Sequence, residues 1–361
     1  MIVRSLEIKD YRNYEQLSLV FDDGINILYG ENAQGKTNIL EAIYLGGTTK
    51  SHRGSKDKEI IRFGSEEAHV RIFIEKKQVS HRIDVHLKKN KAKGVAVDTI
   101  PIKKQGELFG ILNLVFFSPE DLNIIKNGPA ERRRFLDMEL CQLDKLYMYH
   151  LSNYNKALLQ RNNLLKQIGV NRELLDTLYI WDAKLAEHGI PVINTRKAFI
   201  EKLNRLICLI HRKLTGGKEE IILRYEPNVI PEEFEETLKR SQEKDLILKM
   251  TGVGPHRDDV MFVVDNQDVR KYGSQGQQRT SALSLKLAEI ELVKETIGDN
   301  PVLLLDDVLS ELDRNRQNYL LNSIGDIQTI ITCTGLEEFI NNRFKYDKIF
   351  HVANNTVSSE N

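Results

Sequence analysis

The segment "YGENAQGKTNILEAIY", residues 29–44, decides the fold. It follows a short apolar strand, "INILYG", and its second half sets Ile39, Leu40, Ile43 and Tyr44 at helical spacing. Between strand and helix lies "GENAQGKT", residues 30–37, which meets G-x-x-x-x-G-K-[ST] at every fixed position. Such a loop wraps phosphate oxygens in backbone N–H groups. Gly30 and Gly35 permit the turn, and Glu31, Asn32, Ala33 and Gln34 supply the backbone between them. Lys36 reaches the β- and γ-phosphates, Thr37 offers its hydroxyl to Mg2+, and the helix start adds a positive dipole end. ATP with Mg2+ is the expected ligand.

The stretch "PVLLLDD", residues 301–307, supplies the matching half. Val302, Leu303, Leu304 and Leu305 read as a strand buried on both faces, which sets Asp306 beside the phosphate loop to hold Mg2+ or its waters. Asp307 is then the general base, or the water-positioning group, for γ-phosphate hydrolysis. In isolation the pair reads equally as acidic turn residues at a strand end. The loop at residue 30 favours hydrolysis.

Composition bounds the remaining possibilities. The 361 residues are 41% hydrophobic, enough for a full core, and the length fits two to three structural units. No apolar run reaches the roughly 18 residues of a membrane span, and the N-terminus "MIVRSLEIKDYRNYEQ" lacks the pattern of a signal or transit peptide. A cytoplasmic protein without a membrane partner is expected. Cys141, Cys208 and Cys333 form no CxxC pair, which argues against a disulfide framework or a cysteine zinc site. Because 52 basic residues balance 52 acidic ones, any nucleic-acid binding must use a local patch.

Periodicity divides the chain in three. Residues 1–118 read as the N-terminal part of an ATPase head: strands in "LEIKDY" and "LSLVF", the phosphate-loop strand, then an antiparallel flank in "AHVRIFIEKK", "SHRIDVHLKK" and "GVAVDTIPIKK". Residues 119–248 read as a helical arm. Leu136, Leu140, Leu143, Tyr147, Leu151, Tyr154 and Leu158 predict one helix of roughly seven turns, and a second stripe from Leu178 to Leu214 is interrupted at Gly189 and Pro191. Residues 249–361 return to alternating strands and helices and so complete the first sheet, before a frayed tail, "ANNTVSSEN".

One stretch in this last part suits neither a core nor a surface helix: "YGSQGQQRTS", residues 272–281. In order, "YGENAQGKTNILEAIY", "FFSPEDL", "GPHRDD", "YGSQGQQRT" and "LLLDDVLSELD" resemble the head domains of SMC/ABC-type ATPases and, within them, the RecF family of bacterial recombination mediators. The resemblance spans nearly the whole chain. It implies an α/β fold, an ABC-ATPase-like head whose P-loop mixed sheet has an antiparallel β flank, with an inserted α-helical arm domain. It further implies a signature loop at residues 274–278, ahead of a helix from Thr280, in which Ser274, Gly276 and Gln277 bind the γ-phosphate held by a second subunit. "SELD", residues 310–313, resembles the loop crossing the dimer interface, Thr332 and Thr334 the switch position, and Arg12 a basic residue reaching the nucleotide phosphates.

The function so implied is an ATP-dependent homodimer that binds duplex and gapped DNA at single-strand gaps or stalled forks and helps load RecA with RecR and RecO. The arm is too short for the coiled coil of a true SMC protein. Two departures bear on rate: "SQGQQ" replaces the transporter motif "SGGQ", and Asp307 stands where many relatives carry glutamate. A carboxylate one methylene shorter is a misplaced base, so a weak DNA-dependent ATPase acting as a timing switch is expected. For DNA, "KKNKAKG" and "ERRRF" read either as phosphate contacts or as a solvated turn and a charged helix start. "GPHRDD" either supports the signature hairpin or binds DNA. The alternative function is a structural or scaffold ATPase that uses ATP binding without productive turnover; a small-molecule kinase would leave "SQGQQR" without a role.

Overall fold

The structure, a computed structural model, describes residues 1–336 and 344–360. The chain divides into two compact units, residues 1–121 with 289–361, and residues 122–288.

The first unit is built on two sheets. One runs in the order Thr356–Glu360, Lys348–Ala353, Ile25–Tyr29, Thr329–Cys333, Val302–Asp306, Leu114–Phe117, antiparallel at its first pair and parallel at the rest. Its central strands are apolar without alternation because both faces are covered. The other sheet is antiparallel throughout, in the order Tyr14–Val20, Ile2–Tyr11, Glu67–Lys76, Val79–Lys88, Gly94–Val97, Ile100–Pro101, and its burial alternates. The helix Lys36–Thr48 packs against both. A Cβ on Gly46 would stand 2.2 Å from the flank residue Ile72, and one on Gly47 would stand 2.6 Å from Leu114 of the mixed sheet. Flanked in this way the helix cannot be amphipathic, and residues 39–48 are all buried. The C-terminal tail does not fray. Asn354 and Asn355 take φ of 48° and 60°, the pair of positive values that a two-residue type I′ turn needs, and Thr356–Glu360 folds back on Lys348–Ala353.

The second unit contains the helices Pro129–Leu143, Lys145–Ile168, Leu178–Leu214 and Phe234–Leu248, with a small sheet of Ile221–Glu226, Asp259–Val264 and Gln267–Asp268. Two helix expectations change here. The first stripe is two helices, because Asp144 leaves helical geometry and its carboxylate caps the next helix by accepting from Leu146 N and Tyr147 N. The second stripe is one helix of 37 residues that runs through Gly189 and Pro191. Gly189 is there for packing, since a Cβ would lie 2.4 Å from the Phe234 ring. Pairing of Asp259–Val264 with Ile221–Glu226 places residues 249–288, and the 274–278 loop with them, in this unit.

Buried ion pairs tie the second unit together. Arg161, fully buried, donates to Asp182 at 2.6 Å and Asp245 at 2.7 Å. Arg196 reaches Asp137 at 2.7 Å, Asp258 at 3.0 Å and Pro255 O at 2.7 Å. "GPHRDD" is therefore structural. Asp258 takes the Arg196 guanidinium and the Tyr225 hydroxyl, and Asp259 takes Arg132 through two bonds of 2.6 and 3.0 Å. The "ERRRF" patch is correspondingly depleted: Arg132 is 3% exposed and Arg133 donates to Asp258 O at 2.7 Å. In "KKNKAKG", Lys89 pairs with Glu66 and Lys93 with Asp57.

His256 gives this unit a pH dependence. Its Nε2–H donates to Thr251 O at 3.0 Å, which leaves Nδ1 to accept from the Tyr154 hydroxyl at 2.6 Å, so the neutral ring is the one held. Burial pushes its pKa from 6.5 down to about 4. The unfolded chain thus takes up a proton that the folded chain refuses between these values, and acidification through that window favours unfolding by about 3 kcal/mol. Trp181, the sole tryptophan, packs in the core of this unit and reports on it. Urea unfolding followed by Trp181 fluorescence is expected to lose midpoint steadily from pH 6.5 to about pH 4, and a His256→Asn variant to lose most of that slope.

Candidate functional site

The loop at residues 30–37 takes the cradle shape because three residues adopt positive φ: Gly30 at 151°, Ala33 at 65° and Gly35 at 102°. At Gly30 a Cβ would stand 2.2 Å from Val352 O, and at Gly35 one would stand 2.4 Å from Asn13 Nδ2. No other residue fits these two positions. Lys36 Nζ lies inside the loop, donating to Gly30 O at 2.5 Å and Glu31 O at 2.7 Å. Burial pulls this ammonium's pKa down, while the nearby Asp307, Cys333 and Asp306 work to keep it charged. Asn13 braces the loop through Gln34 O and Asn38, and Asn354 N donates to the Gln34 side chain.

Opposite the lysine, two strand ends meet the start of the loop's helix. Asp306 Oδ1 accepts from Thr37 Oγ1 at 2.7 Å and from Thr332 Oγ1 at 2.8 Å. Thr332 Oγ1 in turn accepts the Asp307 backbone N–H at 3.0 Å. Burial raises the Asp306 pKa, and the two threonine hydroxyls oppose that rise. A buried carboxylate and a hydroxyl within 2.7 Å of each other form an all-oxygen donor set at the foot of a phosphate loop. This suits Mg2+, which takes one or two protein oxygens and completes its shell with phosphate and water. Asp307 has φ of 52°, and Ser310 Oγ fastens its carbonyl at 2.8 Å, so its carboxylate is turned off the strand axis. Residues 32–38, Arg53, Asp306, Asp307 and Thr332 line one cavity of about 250 Å³.

Sequence reasoning missed Arg53, Asn13 and Asn38. Arg53, exposed in the turn after the loop's helix, is the arginine that lines the cavity and the one whose charge acts on Asp306. Arg12 does not line it. Its guanidinium grips Glu41 through two bonds of 2.7 Å and also donates to Ser55 Oγ and Glu59 O. Glu41 is fully buried; burial works to raise its carboxyl, but Arg12 and Ser51 hold it below the usual range.

The polar stretch at residues 272–281 is a helix start. The helix Gln275–Ile297 begins five residues before the expected Thr280, and Ser274 caps it. Gln277 N donates to Ser274 Oγ at 3.2 Å and Ser274 N to Gln277 Oε1 at 3.0 Å, a reciprocal capping box written as S-x-x-Q. Glu219 holds the other end of the Gln277 amide at 3.2 Å. Gly276 is exposed, and a Cβ there would meet nothing nearer than Ser274 Oγ at 3.8 Å. Ser274→Ala is expected to cost the second unit about 1 kcal/mol in Trp181-detected urea unfolding, whereas Ser274→Asp, which also caps, is expected to retain most of it.

Comparison with known proteins now gives the family. The RecF/RecN/SMC N-terminal domain family matches residues 2–358. The chain is 66% identical to a DNA replication and repair protein RecF from Lachnoclostridium phytofermentans, with 99% of both chains covered. A solved structure described as the recombination mediator protein RecF-ATP in the RecFOR pathway superposes with a TM-score of 0.93 at 37% identity, covering 99% of this chain and 97% of that one. A Pyrococcus furiosus Smc head with an extended coiled coil, at 17% identity, covers 99% of this chain and 95% of that one; its TM-score of 0.58 shows the fold alone. The family match over residues 2–358 and the 66% identity over nearly the whole chain show that it belongs to the RecF family of SMC/ABC-type ATPase heads.

Proposed function

We propose that this chain is an ATP-dependent, DNA-binding recombination mediator. Two copies close on two ATP molecules, the pair holds duplex DNA at single-strand gaps or stalled forks, and with RecR and RecO it helps load RecA before slow hydrolysis resets it. In this reading residues 1–118 and 249–361 act as the ATPase head and residues 119–248 as its arm. Support comes from the relatives named RecF and from the neighbour described as RecF-ATP in the RecFOR pathway.

The observation that carries the two-copy reading is Gly276. Nothing in its own unit requires a glycine there, yet it sits exposed in the first turn of a 23-residue helix beside the Ser274 hydroxyl. A glycine in that place lets an outside group approach the backbone, and a helix start favours an anion. The γ-phosphate held by Lys36 of a second copy is such a group.

At the phosphate loop, backbone amides and Lys36 orient the phosphates, and Arg53 adds a second cation to the cavity wall. Thr37 and Asp306 hold Mg2+, which when bound draws off charge developing on the phosphate oxygens. The Asp307 carboxylate orients the attacking water and receives its proton. Because an aspartate reaches less far than a glutamate, turnover is expected below about 1 per second, against a typical enzyme's roughly 10. A steady-state rate of many turnovers per second with gapped DNA would contradict this.

Sedimentation velocity with ATP, with and without duplex DNA, tests the closure. Wild type is expected to shift to a dimer on ATP. Ser274→Asp keeps the helix cap but sets a carboxylate against the incoming γ-phosphate, so it is expected to bind nucleotide and stay monomeric. Asp307→Asn is expected to prolong the dimer. If Ser274→Asp dimerises as wild type does, the composite site is wrong; if Asp307→Asn leaves dimer lifetime unchanged, ATP acts as a scaffold ligand and hydrolysis is not the release step.

A further inference from the structure

The polar face of the antiparallel sheet carries two imidazoles and a carboxylate that the nucleotide site does not use. Glu67 and His69 are two residues apart on the strand Glu67–Lys76 and so share a face, and His86 on Val79–Lys88 lies directly opposite His69. The two rings stack with centroids 4.0 Å apart and planes 23° from parallel. Glu67 Oε2 is 2.9 Å from His86 Nε2, and Glu67 Oε1 is 3.6 Å from His69 Nε2. One ligand atom from each of the three lies within 4.8 Å of the others.

We propose that Glu67, His69 and His86 form a binding site for a divalent first-row transition ion of the Zn2+ class. Two imidazoles and one carboxylate are the donor set of open zinc sites, whereas Mg2+ and Ca2+ select oxygen alone. Donors around one zinc stand roughly 3 to 3.5 Å apart, so closure requires rotamer shifts of about an ångström on a rigid hairpin. The side chains are free to make them, being 51%, 46% and 31% exposed in the order named. Glu7, Lys9, Arg71 and Asp84 line a cavity of about 570 Å³ with both histidines, so the two imidazoles border open space.

The test uses the full chain, free of any affinity tag and stripped with EDTA, without nucleotide. Titration with Co2+ followed by visible absorption, and with Zn2+ by calorimetry, is expected to find one ion per chain in a nitrogen–oxygen field without thiolate charge transfer. His69→Ala, His86→Ala and the near-isosteric Glu67→Gln are each expected to weaken binding by more than the roughly 10- to 100-fold typical of losing an outer-sphere partner. Glu67 and His69 are exposed and His86 half-buried on the solvent face, so the metal-free variants are expected to melt close to wild type, and Asp306→Asn is expected to leave this ion in place. Wild-type affinity no greater than that of the His69→Ala/His86→Ala double variant overturns the proposal, as does loss of the ion on Asp306→Asn or Cys333→Ser.

Discussion

One carboxylate organises the nucleotide site. Asp306 is buried at the end of a strand that is apolar on both faces, and such a charge is costly unless its oxygens are satisfied. Thr37 and Thr332 satisfy it from two directions, one from the helix after the phosphate loop and one from the strand lying between the loop strand and its own. Three segments, two of them 26 residues apart and the third 269 residues from Asp306, are thereby fixed at one point. The same Thr332 hydroxyl then accepts the Asp307 amide, so the group that tethers the Asp306 carboxylate also sets the backbone of Asp307.

The second unit solves a different problem by similar means. Its helices are rich in charge; Arg161 holds Asp182 and Asp245 in the interior, and Arg196 holds Asp258 there and the half-buried Asp137 nearer the surface. Replacing such a network by apolar residues often leaves stability unchanged, but removing a single partner costs about 3–5 kcal/mol. Networks of this kind fix which elements meet. Here they join the long helix Leu178–Leu214 to the loop that leads into the signature hairpin, through Arg196 to Asp258 and Pro255.

The signature segment shows how one sequence pattern can serve two purposes. "SQGQ" satisfies the orphan amides of a helix start through its serine and its second glutamine, a reason for those residues that needs no ligand. Gly276 has no such reason, because a side chain there would stand in open space. The bland and the functional readings of this segment therefore fall on different residues.

The phosphate loop and the acidic strand end were legible in the sequence because each is local: spacing, strand and helix period, and turn chemistry act within about ten residues, whereas the stretch at residues 272–281 was read only through the family resemblance and its helix begins five residues earlier than expected. Helix boundaries were less legible at Asp144, where a cap broke a continuous hydrophobic period, and at Gly189 and Pro191, where the helix ran on through both breakers and the glycine made room for the Phe234 ring. Arg12 and Arg53 are the sharper lesson. Arg12 read as the basic residue near the nucleotide and Arg53 was not singled out, but packing gave the first to a buried glutamate on the loop's own helix and left the second at the cavity. Arg132, which read as a surface cation, was likewise drawn inside by Asp259, 127 residues away. The sequence alone determined which chemical groups the protein has and the local turns that present them. Tertiary structure decided which charges meet one another and which are left for a ligand, because ion pairing depends on distances that chain order does not encode.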